Sequence, residues 1–492
     1  DGPHGRASRA GKYATIASDN RGQRRPLRLI YVNEAGRLSR HNSFMDSSLV
    51  AAFSRKVPRY TSYPTAAQFS EAVGSVCHAT WLQRLPRAAL VSLYLHIPYC
   101  RQLCWYCGCH MRVARGDAPL ARYSDALLAE IGTIGRTMGF RPWVERIHWG
   151  GGTPTTLRPE DFLRIHEAVK TTFEVRPGAE IAVEIDPRNL GDSMVETLAA
   201  TGTTRVSFGV QDFDEDVQAA INRRQSFALT RDAVERVRRA GIGSVNIDLV
   251  YGLPRQTRES VARTIGQTLA LEPDRIALFG YAHVPWLKRH QALIAEADLP
   301  GPEARWEQAQ TAAALLTGAG YVPIGIDHFA RPDDRLAQAA AAGRLRRNFQ
   351  GYTDDDSDAL IGIGASAISA TPDGYTQNAA DIRIWTARVM TRGLATARGI
   401  ALNDEDRLRR DIIERLMCDM RVDLAAFRQQ PGSAPVITQA GPALEVLARG
   451  GLVTLDGPII EIRPEARQLA RVVAATFDGY LGGAAERHSL AV

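Results

Sequence analysis

The chain has 492 residues, of which 45% are hydrophobic and 23% charged, with six cysteines and a net charge of +6. That length allows a large core and two domains, no apolar run approaches the ~20 residues that cross a bilayer, and the sparse cysteines suit a reducing compartment rather than a disulfide scaffold. Nine Lys/Arg against three acids in residues 1–44 account for the whole net charge, so residues 45–492 balance to zero and show no global basic field for nucleic acid.

Residues 1–44 are rich in Arg, Gly and Ser and lack the apolar core of a secretory signal. They are expected to be a basic, disordered or non-native extension, with Met45 as the natural start. Nothing after Met45 suggests export, so the expected location is cytoplasmic. Residues 45–91 form an N-terminal strap. Its segment Arg59-Tyr-Thr-Ser-Tyr-Pro-Thr65 is polar and aromatic and is expected to be extended, as a surface strap or lid.

From Ser92 a regular alternation begins. Strands are predicted near 92–98, 146–151, 180–187, 205–211, 244–252 and 275–281, with helices such as 120–139, 159–173, 227–241 and 257–271 between them. Six β-α units imply a parallel sheet with right-handed crossovers, curled into an incomplete barrel or left open and doubly wound. The period of the strands favours the barrel. Leu93, Leu95 and Ile97 oppose Tyr94 and His96; Ile181, Val183 and Ile185 oppose Ala182, Glu184 and Asp186. Val206, Phe208 and Val210 oppose Ser207, Gly209 and Gln211, and Val245, Ile247 and Leu249 oppose Asn246 and Asp248. One face packs on helices. The other presents Tyr94, Glu184, Gln211 and Asp248, as the wall of a chamber for a sizeable polar ligand would. Each taken singly also suits a buried polar residue satisfied by backbone hydrogen bonds.

The first strand runs straight into Cys100-Arg-Gln-Leu-Cys104-Trp-Tyr-Cys107-Gly-Cys109. The spacing C-x-x-x-C-x-x-C lets one short loop wrap three thiolates around a compact inorganic centre. A cubane cluster normally takes four protein thiolates, so three leave one iron open to a non-protein ligand. Zinc is the rival, with His110 or Cys109 as fourth ligand, but zinc loops usually pair two separated C-x-x-C motifs. The second strand ends in His148-Trp-Gly-Gly-Gly-Thr-Pro154, where glycines let backbone approach a ligand. Gly362-Ile-Gly-Ala-Ser366 is a weaker feature that fits the lining of a site. Asp327-His-Phe-Ala-Arg-Pro332 and Arg347-Asn-Phe-Gln-Gly-Tyr-Thr353 fall in loops beyond the sixth strand. There Arg331 or Arg347 could pair with substrate carboxylates, although each is by default a solvated surface arginine.

From about residue 400 the pattern changes. Asn403 caps a predicted helix through Arg409–Met417, a second helix lies near 441–449, and Asp456-Gly457 turns a hairpin between Leu452 and Glu461. A last helix is predicted over 464–480. Helices plus a hairpin suggest a winged-helix-like domain, but no Lys/Arg stripe marks a recognition helix, so no DNA role follows. Cys77 and Cys418 read as ordinary buried thiols.

Together these motifs make the chain resemble the radical S-adenosylmethionine (SAM) enzymes, and within them the oxygen-independent coproporphyrinogen III oxidases. The narrower resemblance rests on Pro58–Ala66, Leu95–Pro98 with Cys107-Gly-Cys109, Gly209–Phe213, Asn246–Pro254, Tyr281–His283, Asp327–Asp334 and Arg347–Thr353, and covers roughly 55–490. It implies an α/β fold: an incomplete (β/α)6 radical-SAM barrel over 92–395 with an N-terminal strap, and a smaller, mainly helical winged-helix-like domain over 396–492. It further implies that Cys100, Cys104 and Cys107 hold a 4Fe-4S cluster with SAM at the fourth iron. Two SAM molecules are implied, the cluster-bound one at Tyr94, Gly151, Glu184 and Ile368. The second is implied at Tyr106, Gly152, Thr153, Gln211, Arg223, Asp248 and Ala282. Phe349 and Gln350 match nearby pocket positions. Tyr94 and Cys109 are the implied catalytic residues, Cys109 being used without ligating the cluster. His110-Met111 departs from the polar pair the family shows after that cysteine.

The implied reaction converts two propionates of coproporphyrinogen III to vinyl groups with loss of CO2, giving protoporphyrinogen IX. The resemblance implies a low-potential electron donor, an unidentified electron acceptor, a monomer, and no membrane or nucleic-acid partner. Alternatives are a haem-binding chaperone that shares the cysteine loop, a radical SAM methyltransferase acting on haem, and a zinc-stabilised DNA-binding or interaction protein. The chaperones typically lack the Cys-Gly-Cys ending and the Arg-Tyr-Thr-Ser-Tyr-Pro strap.

Overall fold

The two-residue alternation read along the chain becomes one large sheet. In the computed structural model, residues 55–481 are described, with Phe53 and two short strands, Thr15–Ser18 and Arg24–Leu27. Contacts divide the chain into Asp1–Met45 and Asp46–Val492. In the first unit those two strands pair antiparallel. The other residues of the 1–44 segment, and the question of its start, lie outside the described residues.

In the second unit, β1 (Leu90–Ile97), β2 (Trp143–Gly151), β3 (Glu174–Ile185), β4 (Arg205–Gln211), β5 (Ser244–Tyr251) and β6 (Arg275–Gly280) are parallel neighbours in chain order. The crossovers include α1 (Ala118–Met138), α2 (Pro159–Thr172), α3 (Asp192–Ala200), α4 (Phe227–Arg239) and α5 (Arg258–Ala270). Their ends follow local chemistry. Gly139, at φ +72°, stops α1 in a conformation that suits glycine, and Thr257 with Ser260 forms a reciprocal capping box on α5. α6 (Pro302–Gly318) follows β6.

The sheet extends further than six strands. β7 (Val322–Ile324) and β8 (His328–Ala330) add antiparallel beyond β6, so the Asp327–Pro332 motif lies partly in a strand and not in a free loop. On the other edge β9 (Ala359–Ile363) runs parallel to β1, which makes the Gly362 motif the end of a seventh parallel strand. β10 (Ile368–Thr371), β11 (Gly374–Asn378) and β12 (Thr396–Ala401) continue antiparallel. Twelve strands follow one another in an unclosed order. The arrangement is the expected incomplete barrel, with antiparallel extensions on both edges.

The apolar half of the alternation supplies the core. Leu93, Leu95, Ile97, Val183, Phe208, Ile247 and Leu249 are all buried in one cluster with residues of α1 to α5, each full burial contributing roughly 1.5–3 kcal/mol. Trp149 stacks on Phe162 of α2 at 4.0 Å.

The strap departs from the extended expectation. Residues 61–64 are bends, Tyr60 has φ +47°, and Tyr60 and Tyr63 are only 4% and 2% exposed. The Tyr60 hydroxyl donates to Asp478 at 2.9 Å, and Gly479 N–H donates to the Tyr63 hydroxyl at 2.9 Å. The strap is therefore built into the core because its aromatic rings outweigh its polar atoms.

In the C-terminal part, Asn403 and Asp406 form a capping box on α7 (Asp404–Asp419). The expected hairpin joins Val453–Asp456 to Ile459–Ile462, and Arg421–Asp423 adds a third strand. α8 (Ser433–Arg449) starts earlier than expected and runs through Pro442. The expected last helix is broken into short 3-10 and α turns between Pro464 and Phe477. Cys418 is buried but Cys77 is only half-buried, which corrects the reading for Cys77. Among the described residues no helix is long and apolar enough to cross a membrane.

Candidate active site

The cysteine loop is stapled at its base. Tyr99–Cys100 pairs with Arg112–Val113, with Arg112 N–H to Pro98 O at 2.8 Å and Ala114 N–H to Cys100 O at 2.9 Å. Its carbonyls are held by side chains from distant elements. Asn222 Nδ2 donates to Leu103 O at 2.8 Å and Gln291 Nε2 to Tyr106 O at 2.8 Å. His290 Nε2 lies 2.7 Å from Cys107 O, and Lys288 Nζ donates to Cys109 O at 3.0 Å. A loop so tied presents its thiols in a fixed arrangement before any ligand arrives.

The thiols have distinct surroundings. Cys104 is buried, and its sulfur accepts from Arg188 Nη2 and Arg223 Nη1, both at 3.4 Å. Asp186 positions both cations, at 2.6 Å from Arg188 Nη2 and 3.2 Å from Arg223 Nη1. Cys100 Sγ faces Thr153 Oγ1 at 3.5 Å, yet burial pushes its thiol up to about 12. Cys107 is drawn down to about 7 by hydrogen bonding from Cys109, with Lys288 and Arg223 assisting. Cys109, the exposed member of the four, is held well above the ordinary thiol range by its hydrogen bond to Cys107.

The polar strand face lies against this loop. Glu184 Oε1 meets His148 Nε2 at 3.1 Å, and Gly151 N–H donates to Glu184 Oε2 at 3.1 Å. Burial opposes ionisation of Glu184, but the His148 and Gly151 hydrogen bonds bring it below the usual carboxylate range. Burial, followed by the neighbouring Glu184 and Cys109, keeps the Tyr94 hydroxyl protonated; it lies 3.0 Å from His96 Nδ1. Burial likewise raises Asp248, despite bonds from Ser207 Oγ at 2.8 Å and Asn246 Nδ2 at 2.7 Å.

The glycines have geometric reasons. A Cβ at Gly150 would lie 2.7 Å from Glu184 Oε1, and one at Gly152 2.6 Å from Tyr99 O. Gly151 has φ +119°, a region that excludes other residues.

The structure thus brings Cys100, Cys104, Cys107, Cys109, Tyr94, Tyr106, Gly151, Gly152, Thr153, Glu184 and Arg223 into one neighbourhood. Gln211, at φ +72°, packs by Gly209, whose carbonyl accepts from Arg223. Ala282 follows the end of β6. The Ile368 side chain packs with Phe349, Phe69 and Tyr375, while its backbone lies against Gly362, the partner of Tyr94 across β9 and β1. Sequence reasoning missed Arg188, His148, Lys288 and His290. Of these, only His148 carried a signal, its place before the triple glycine.

Two guanidinium donors on a buried sulfur fit a thiolate-ligated iron–sulfur cluster, whose sulfurs accept such bonds. Buried Arg223 Nε and Asn246 Oδ1 have no hydrogen-bond partner among the described residues, as the wall of a polar ligand chamber would leave them. Among the described residues no three His, Cys, Asp or Glu side chains converge as a single metal ion needs; thiolates on separate irons of a cubane need not converge so closely.

The chain matches the Radical SAM superfamily over residues 94–267 and the HemN C-terminal domain over residues 402–469. It is 48% identical over 438 residues to the oxygen-independent coproporphyrinogen III oxidase of Bradyrhizobium diazoefficiens, across 89% of this chain and 97% of that one. The enzyme of that name from Escherichia coli is 41% identical over 438 residues, across 89% and 95% of the two chains. A solved structure of coproporphyrinogen III oxidase from Escherichia coli, a radical SAM enzyme, superposes with a TM-score of 0.84 at 40% identity, covering 89% of this chain and 100% of that one.

Proposed function

The chain belongs to the oxygen-independent coproporphyrinogen III oxidases of the radical SAM superfamily, and from that premise we propose how its residues divide the work. The enzyme decarboxylates two propionates of coproporphyrinogen III to vinyl groups, giving protoporphyrinogen IX. It uses a 4Fe-4S cluster and SAM. When bound, these would supply a 5′-deoxyadenosyl radical able to take a hydrogen atom from the propionate carbon attached to the ring, β to the departing carboxylate.

In our reading Cys100, Cys104 and Cys107 would hold the 4Fe-4S cluster and leave it open to SAM. Arg188 and Arg223, both fixed by Asp186, neutralise charge on the Cys104 sulfur. Tyr94, Gly151, Glu184 and Ile368 take the cluster-bound SAM. Tyr106, Gly152, Thr153, Gln211, Arg223, Asp248 and Ala282 take a second SAM. Glu184 is the acceptor best suited to an ammonium group, because it is ionised and aimed by Gly151 N–H. Cys109 and Tyr94 are the residues we place beside the reacting atoms, the Tyr94 hydroxyl kept protonated by burial as a hydrogen-bond donor and Cys109 standing next to the ligand cysteines without ligating. Each propionate gives up one hydrogen atom, CO2 and one electron. A terminal acceptor takes that electron, and a low-potential donor supplies the one that cleaves SAM. We assign residues 92–395 to catalysis, 45–91 to the strap and 396–492 to the C-terminal domain, in a cytoplasmic monomer.

The observation that carries this reading is the buried Cys104 sulfur between two guanidiniums, on a loop facing the polar ends of β1, β3 and β4. The test is anaerobic turnover. Reconstituted protein is expected to hold about four irons per chain, and with reductant, SAM and coproporphyrinogen III to form 5′-deoxyadenosine and a product lacking two carboxyl groups. Forming 5′-deoxyadenosine with no loss of propionate overturns the assignment.

A further inference from the structure

Beyond the cysteine loop, on the β6 side, a second group of buried cations is unexplained by cluster or SAM binding. Arg347 sits on the hairpin Arg346–Asn348/Gly351–Thr353, and its side chain is only 5% exposed. Its guanidinium lies 4.3 Å from the Tyr352 ring centroid, and Nη2 reaches Arg59 O at 3.5 Å and Asp327 Oδ2 at 3.8 Å. Among the described residues Nε and Nη1 are buried with no hydrogen-bond partner. Arg305, at the start of α6, donates through Nη2 to Tyr281 O at 2.8 Å, but its Nε is also buried without a partner. So is Gln350 Nε2, three residues after Arg347 on the same hairpin. Arg59 joins the two arginines, donating to Gly280 O at 3.5 Å from the strap.

The charge balance is uneven. Among the described residues the one ion pair made by Arg59, Arg305 or Arg347 is the long contact of Arg347 with Asp327. Asp327 is already engaged by His328 Nδ1 at 2.6 Å. Buried N–H groups without acceptors are expensive to leave so. On a planar guanidinium Nε–H and Nη1–H point to different sides, so each free group can donate to a carboxylate oxygen, and either forms a bidentate fork together with Nη2, whose own contacts are long. Arg347 also lines a cavity of about 660 Å³ between the strap and the hairpin, so a ligand group can reach it. Of the five carboxylates in the same wall four are engaged, Asp355 by Ser92 Oγ at 2.5 Å, Asp358 by Leu90 N–H at 2.9 Å, Asp411 by Arg410 at 3.1 Å and Glu414 by Arg346 at 2.9 Å, and the fifth, Asp356, is exposed.

The geometry points to Arg347, with Arg305 and Gln350, as a carboxylate-binding site that seats propionate groups of the tetrapyrrole, with Arg59 closing over it from the strap. This rests on the reading that the substrate is coproporphyrinogen III, a tetracarboxylate. It assigns substrate recognition to the β6 edge and the strap, apart from the cysteine loop.

The test is equilibrium binding to anaerobically reconstituted holoenzyme with SAM, followed by fluorescence quenching. The probes are coproporphyrin III, the non-reacting aromatic form, and its neutral tetramethyl ester. Wild type is expected to prefer the acid by about tenfold or more, and Arg347→Met to lose about that factor for the acid while binding the ester unchanged. Arg347→Lys restores part of the preference, since it keeps the charge and loses the fork. Arg305→Gln serves as the second variant should Arg347→Met fail to fold, judged by its melting temperature. A general loss of structure would weaken acid and ester alike. Folded variants that keep the acid preference overturn the site, as does a wild type that binds both probes equally, while turnover of coproporphyrinogen III leaves the enzyme reading standing. Wild type that fails to decarboxylate coproporphyrinogen III overturns both.

Discussion

Arg146 and Arg347 are both buried arginines, 13% and 5% exposed at the side chain, and they face opposite fates. Arg146, near the start of β2, meets Asp354 at 2.9 Å, Glu180 at 3.5 Å and Asp355 at 3.6 Å. Arg205, the first residue of β4, joins Glu180 at 3.0 Å, and Arg335 joins Asp354 at 3.2 Å. At this end of the strands the charges are closed on one another. Near the other end, Arg223 Nε, Arg305 Nε, Arg347 Nε and Nη1 and Gln350 Nε2 have no hydrogen-bond partner among the described residues, against one such N–H, Arg205 Nε, in the closed network. The residue types are the same. What differs is whether carboxylates of the chain pair the cations and how many N–H groups are left over, and the end with more unmet donors is the one where ligands complete them.

The largest effect should come from the open end. Cys100→Ala removes one of three iron ligands. It should lose the cluster and at least about a thousandfold in turnover, because one-electron chemistry has no other route. Cys109→Ser should fall in activity comparably yet keep its iron, measured as iron and acid-labile sulfide per chain. If Cys109→Ser also lost iron, the division between ligand and non-ligand cysteines would fail.

At the closed end the expected effect is on stability. Glu180→Ala strands Arg205 and removes one of the three partners of Arg146, and breaking a buried ion pair in this way should lower unfolding free energy by about 3–5 kcal/mol. The affinity for SAM should be unchanged. Burial opposes ionisation of Glu180, but Arg205, Arg275 and Arg146 outweigh it and hold the carboxyl far below its usual range. Its contribution is therefore fully present above the unfolded-state value and is lost as pH falls through the native one. Urea midpoints at pH 7 and pH 3 for wild type and variant should converge on the acid side. A variant as stable as wild type at pH 7 would show that the closed network is ornamental.

Much of this contrast was legible in the sequence, unevenly. Period two placed Tyr94, Glu184, Gln211 and Asp248 on one face, because parallel strands alternate and that pattern needs no long-range information. The cysteine spacing and Asn403 cap are also local. The closure of Arg146 by Asp354 and Asp355 was not legible, since those residues are brought together only by the insertion of β9 beside β1. Nor was the burial of Arg347, which depends on Tyr352 and the strap. Arg331, its equal in sequence, stays on the surface beside Asp333. The strap itself misled because its polar residues outnumber two tyrosines whose rings the C-terminal residues enclose.

Glu130 on α1 sharpens the contrast from a third position. It is 1% exposed and accepts from Gly364 N–H at 2.7 Å, Asn378 Nδ2 at 2.8 Å and Trp385 Nε1 at 3.2 Å. Its donors are neutral, whereas those of Glu180 are cationic. Burial consequently wins, and the carboxyl is pushed up to about 7. The sign is the reverse of that for Glu180. Between the unfolded value near 4.5 and about 7, the native state holds a proton that the unfolded state has lost, so stability falls as pH rises through that window and is level above it. From this one group wild type should be less stable at pH 8 than at pH 5 by up to about 3 kcal/mol. Glu130→Gln cannot ionise, so the gap between variant and wild type should shift by that amount between the two pH values, whatever its absolute size. Parallel profiles would mean that three neutral donors hold the charge as well as three arginines do, and pairing with cations would then no longer distinguish the closed end of the barrel.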